Sequence, residues 1–128
     1  MNIAYLDGKK NIKPEGSTSN KSGFPEIPVI ANIHQKILKA TSNPDALKMD
    51  NWHTCETTHC RAGWVVTLAG EKGKALEDET STLFAAMQIY KASSPIRVSP
   101  VRFFDGNKEA MADIKKCADL ESAKQEKE

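Results

Sequence analysis

The chain has 128 residues, 39% hydrophobic and 27% charged, the size and balance of one domain with a modest core. Lys and Arg number 18 against 17 Asp and Glu, a net charge of +1, and only 6% of residues are aromatic. Neither a basic stripe for a nucleic-acid backbone nor a base-stacking platform is therefore expected. No run approaches the roughly 18 apolar residues of a membrane helix. Met1-Asn2-Ile3-Ala4-Tyr5-Leu6-Asp7 lacks the regions of a secretory signal, and three cysteines are too few for a secreted disulfide framework, so a cytoplasmic protein is expected.

Residues 1–28 read as an N-terminal arm and linker. Ile3-Ala4-Tyr5-Leu6 is a strand-like run, Asp7-Gly8 supplies a tight turn and Ile12 offers a return strand. Such a hairpin is marginal alone and has to pack, or pair with another chain. Lys13 to Lys21 (KPEGSTSNK) has nothing to bury and reads as a flexible linker. Pro25 and Pro28 keep the approach to the main domain extended.

Residues 29–128 read as a helical domain. Ile30, Ile33, Ile37 and Leu38 fall at helical spacing, and Asn32 with Gln35 resembles a capping box. Asn43-Pro44-Asp45 reads as a second helix start, with Leu47 and Met49 on its apolar side. A third helix is expected after a Thr57 or Thr58 cap, running to Ala69 with Gly70 as its stop. Gly73 interrupts, and Lys74 to Glu79 add a turn. Thr80-Ser81-Thr82 caps a fourth helix, in which Leu83, Ala86, Met87 and Tyr90 share a face. Pro95 and Pro100 bracket a loop, and Ser99-Pro100 starts a short turn that presents Phe103 and Phe104. A last helix carries Ala110, Met111, Ile114, Cys117 and Ala118, then fades into a frayed polar tail from Leu120. Strands and helices do not alternate, so the fold expected is mainly α, with four to five helices and a short N-terminal β-hairpin or extended arm.

Residues 52–64, W-H-T-C-E-T-T-H-C-R-A-G-W, hold two of the three cysteines, two of the three histidines and both tryptophans. One reading is a zinc site made by His53, Cys55, His59 and Cys60. Against it, Cys55 and Cys60 lack the usual Cys-x(2–4)-Cys spacing, and adjacent His59 and Cys60 diverge if both are helical. A second makes Cys60 a nucleophile in the first helical turn, with His59, His53 or His34 as its base. No acidic partner is identifiable for it. The third is structural: a Thr58 or Thr57 cap, a buried Cys60, Trp64 filling the core, and Gly63 admitting a neighbouring segment near Trp52.

Outside this stretch, Phe103-Phe104 reads either as an exposed partner-binding knob or as a pair with one member in the core. Lys72, Lys74, Arg97 and Arg102 read as a solvated surface rather than a phosphate site.

N-I-H-Q-K-I-L, M-D-N-W-H-T-C-E-T-T-H-C-R-A-G-W-V-V-T-L-A-G-E-K-G-K-A-L-E, I-Y-K-A-S and F-F-D-G-N-K-E-A-M-A-D-I together resemble an uncharacterised module of bacterial and phage proteins. The resemblance spans about residues 29–116, and T-T-H-C-R-A-G-W is its most specific part. In some relatives the module follows pentapeptide repeats, and Ala4-Tyr5-Leu6-Asp7-Gly8 is similar to one such repeat. It singles out Trp52, His53, Cys55, Thr57, Thr58, His59, Cys60, Ala62, Gly63 and Trp64. It implies a phage or prophage setting and no mechanism.

With no acid/base pair and no phosphate loop in the chain, the function expected is that of a small non-enzymatic interaction protein. It would bind or inhibit a host protein such as a CRISPR-type defence effector, without a cofactor. A homodimer would add core to a short chain. A Cys60-dependent enzyme and a zinc-stabilised module are the alternatives.

Overall fold

In the computed structural model, which describes residues 26–127, the chain forms α1 (Ile33–Thr41), β1 (His53–Cys55), β2 (Thr58–His59), α2 (Arg61–Leu68), α3 (Gly70–Glu79), α4 (Thr82–Ser93), a 3-10 turn (Pro100–Phe104) and α5 (Asn107–Lys127). The expected N-terminal hairpin and linker lie outside the described residues. The fold is mainly helical, with one small antiparallel hairpin.

Each helix contributes a one-sided apolar stripe to a shared core. Ile33 and Ile37 of α1, Ala62, Val65 and Val66 of α2, Leu76 of α3, Ala85, Ala86 and Ile89 of α4, and Ala110 and Ile114 of α5 are all buried. α1 lies along α5, and α2 packs on α4. Small residues at the second contact (Ala62, Ala85, Ala86) let those helix backbones approach. Each fully buried Ile or Leu contributes about 1.5–3 kcal/mol. Within α3, Gly73 is buried, and a Cβ there would stand 2.4 Å from the Val66 carbonyl oxygen. Gly73 thus seats α3 on α2 and does not interrupt it. Gly70 (φ 70°) takes the left-handed conformation that separates α2 from α3.

Four other local expectations differ. Asn32 makes no side-chain cap and sits at φ 57°; the first turn of α1 is capped instead by Glu121 of α5. Asn43-Pro44-Asp45 starts no helix: Asp45 turns the chain at φ 60°, and the strand-like Leu47 bridges His59. Neither Thr57 nor Thr58 caps α2, because Thr58 and His59 pair with β1, and Cys60 becomes the cap. The tail from Leu120 continues as helix to Lys127, with Glu121 buried in it.

Candidate functional site

Residues 52–64 form a hairpin that leads straight into α2. In it His53 pairs with His59 and Cys55 with Thr58, so Thr54 is extra and the strand bulges. β2 is held on its other side as well: the His59 N–H donates to the Ala46 carbonyl and the Lys48 N–H to the His59 carbonyl, each at 3.0 Å. The Trp64 Nε1–H donates to the same Ala46 oxygen at 2.8 Å, and the Trp64 ring meets His59 edge-on. Gly63 is buried where a Cβ would stand 1.9 Å from the Trp52 carbonyl oxygen. A glycine there lets α2 begin against the hairpin.

This backbone brings His53 and His59 together with Glu77 of α3. The two Nδ1 atoms are 2.7 Å apart; His53 Nε2 is 2.7 Å from the Glu77 carboxylate, and His59 Nε2 is 2.9 Å from the Glu56 carbonyl. Carboxylate and carbonyl oxygens accept only, so it is the imidazole that donates wherever these outer contacts are hydrogen bonds. The donor in the central Nδ1–Nδ1 contact is set by the tautomers of the two rings. Burial, reinforced by the neighbouring His53, holds His59 below the usual histidine value despite the Glu56 carbonyl and Glu77. Burial alone would raise the Glu77 carboxyl, but hydrogen bonds from Thr82 and His53 outweigh it and keep Glu77 ionised. The cluster lines an open pocket of about 740 Å³ between the hairpin and α3, which Cys55, Glu71 and Lys74 also line.

The three thiols differ sharply. Cys60 is 1% exposed, its sulfur accepts from the Gly63 N–H at 3.3 Å, and burial pushes its thiol up. Cys117 is also buried and pushed up, first by burial and then by Asp113. Cys55 is exposed, and hydrogen bonding by the Thr58 hydroxyl, then by Thr57, brings its thiol down to about 7. His53, Cys55 and His59 thus line one pocket, while Cys60 is turned into the core. Among the described residues, no group of three or more His, Cys, Asp or Glu is arranged to hold a metal ion. The third histidine, His34, stacks on Tyr90 and is buried with its Nε2 unpartnered.

Sequence reasoning passed over the residue between Cys60 and Ala62. Arg61 is completely buried; its NH1 donates to Asp113 at 2.6 Å, its Nε to the Tyr90 hydroxyl at 3.0 Å, and its NH2 faces the Cys117 sulfur at 3.8 Å. Burial alone would raise the Asp113 carboxyl, but the Arg61 guanidinium outweighs it and holds Asp113 low. An arginine set between the buried Cys60 and Ala62 is the one available signal of this pair. Its partner lies 52 residues away.

A second surface is aromatic. Phe103 is buried at 2% exposure, whereas Phe104 is 70% exposed and meets the Trp52 ring edge-on, with centroids 6.4 Å apart. Trp52 is 41% exposed, so it projects outward while Trp64 packs against the core. Trp52 and Phe104 line a groove of about 340 Å³ that reaches Met49 and Asp50. Lys72, Lys74 and Arg102 each pair with a carboxylate, and Arg97 is exposed. No protein-family model, curated protein or solved structure matches this chain.

Proposed function

We propose that this chain is a small protein-binding module that engages a host protein through the face formed by Trp52 and Phe104. The carrying observation is the exposure of these two rings in edge contact beside a groove, on a turn whose other phenylalanine is anchored in the core. Exposed aromatics on a rigid support are the side chains that dominate protein interfaces, since they bury large area at little cost in side-chain entropy. The resemblance to phage and bacterial modules supports a phage or prophage setting, in which a host defence effector is the partner class. The module needs no zinc and no Cys60 chemistry to act this way.

A photo-crosslinking residue at position 104, with a control at the exposed Leu120 of α5, tests the reading in host cells expressing the full chain. One host polypeptide captured from position 104, absent from position 120 and lost in Trp52→Ser, is the expected result. Crosslinks only to a second copy of the chain would replace the host partner with a homodimer. Equal capture from both positions, or none, overturns the reading.

A further inference from the structure

Of the residues lining the Trp52–Phe104 groove, Asp50 alone is charged. It is exposed, and among the described residues no Lys or Arg pairs with it. Asp50, Met49 and Phe104 also line an adjoining depression of about 470 Å³, which Lys48 and Asp105 line as well. Asp105 is already paired with Arg102 at 3.3 Å, and Lys48 does not line the groove. The groove thus joins two exposed aromatic rings to one carboxylate that lacks a cation.

The surrounding contacts hold this arrangement ready. Asn107 accepts the Met49 N–H at 2.8 Å and donates to the Leu47 carbonyl at 3.1 Å, tying the Asp50 loop to α5. The Trp52 carbonyl accepts the Cys60 N–H at 3.2 Å, which anchors Trp52 at the foot of α2. Phe104 follows the buried Phe103 on a turn whose Arg102 reaches both Asp105 and Asp113. Rings fixed in this way give up little freedom when a ligand arrives.

We propose that the groove is an arginine site, in which a guanidinium of the partner lies on the Trp52 ring and directs its N–H groups at the Asp50 carboxylate. The inference rests on the reading of this face as the one that engages a partner, and it names the group recognised. A flat, delocalised cation is attracted to an aromatic face, and most strongly to that of tryptophan. Its paired N–H groups match a carboxylate, and it sheds water more readily than a lysine ammonium does. The Trp52 and Phe104 planes stand at 71°, so a planar group stacks on one ring and not on both. At an exposed site the ring contact and the ion pair are each worth about two- to fivefold in affinity. One arginine alone therefore binds weakly, and the rest of the partner's surface adds to it.

The test titrates the full chain with N-acetyl-arginine N-methylamide, following the Trp52 indole and the Asp50 and Asn51 amides by NMR. Saturable shifts at these groups are expected, with a dissociation constant of about 1–10 mM. The citrulline analogue keeps the shape and loses the charge, and it should bind at least about fivefold more weakly. The exposed Asp50→Asn change should weaken arginine binding about two- to fivefold and leave citrulline binding unchanged. Equal binding of the two analogues, no saturable shift, or an indifferent Asp50→Asn variant overturns the arginine site. A host protein captured from position 104 with undiminished yield in Asp50→Asn keeps the binding face and overturns the arginine. Selective arginine binding with no host protein captured keeps the arginine site and overturns the host partner.

Discussion

The Glu121 carboxylate of α5 accepts the Gln35 backbone N–H at 3.0 Å and the His34 N–H at 3.3 Å, closing the first turn of a helix 86 residues earlier in the chain. The Gln35 side chain donates to the same carboxylate at 3.0 Å. An acidic group here satisfies amides that α1 itself leaves unpaired and complements the positive end of its dipole. Asn32 makes no cap of its own, so nothing replaces Glu121 if it is removed. Glu121→Ala is expected to cost about 1–2 kcal/mol, at the upper end for a lost cap. Hydrogen exchange of the His34 and Gln35 amides should accelerate before the rest of the core does. Unchanged exchange at those two amides would show that α1 holds its first turn without α5.

Arg61 and Asp113 set a second test. Removing one member of a buried ion pair leaves the other charged without a partner, whereas replacing the buried charge by an apolar side chain of similar length removes that penalty. Asp113→Ala is therefore expected to destabilise by about 3–5 kcal/mol. The Asp113→Ala, Arg61→Met double variant should be more stable than Asp113→Ala alone in urea unfolding. The opposite order would mean that the Tyr90 and Cys117 contacts satisfy the guanidinium without Asp113.

Phe103 and Phe104 are neighbours in sequence and opposites in burial. Truncating a buried phenylalanine leaves a cavity, and Phe103→Ala should cost about 3–5 kcal/mol. Phe104→Ala removes a largely exposed ring and should stay within about 0.5 kcal/mol of the parent chain. Thermal unfolding of the two variants reads the contrast directly. A large loss from Phe104→Ala would make that ring part of the fold and remove it from the binding face.

Helical periodicity makes α1, α4 and the first half of α5 legible, because each buries one apolar stripe and no distant residue is needed to see it. Ser81 is legible for the same local reason: its hydroxyl accepts from the Phe84 N–H three residues on. The hairpin is not legible. Strands of three and two residues show no alternation, and Thr57-Thr58 carries the composition of a helix cap. Pairing with His53 and Ala46 claims the backbone of β2, so the cap passes to Cys60. His53, Cys55 and His59 can be picked out from their density in the sequence, but their third neighbour, Glu77, sits in a helix that reads as ordinary solvated surface. Arg61–Asp113 and Glu121–Gln35 are hidden for the same reason, since the partner that gives each residue its role is more than 50 positions away.

The buried histidines should make the fold weaken as pH falls below neutral. Burial holds His34 below its ordinary 6.5, outweighing the attraction of Glu121, and burial with His53 does the same for His59. A base whose folded pKa is lowered gives up no stability above its unfolded value. Once the pH falls below about 6.5 the unfolded chain takes up the proton more readily, and unfolding becomes easier. Asp113 and Glu77 act at lower pH: their folded values are depressed, so their contribution is present above the ordinary 3.8 and 4.5 and is lost as pH falls through the folded values. Urea unfolding at pH 8, 7, 6 and 5 should give free energies that are level at first and then decline. His34→Phe keeps a ring against Tyr90 while removing the unpartnered Nε2, so it should flatten the decline between pH 7 and 5. A decline of the same slope in that variant would take His34 out of the pH response and leave it with His59.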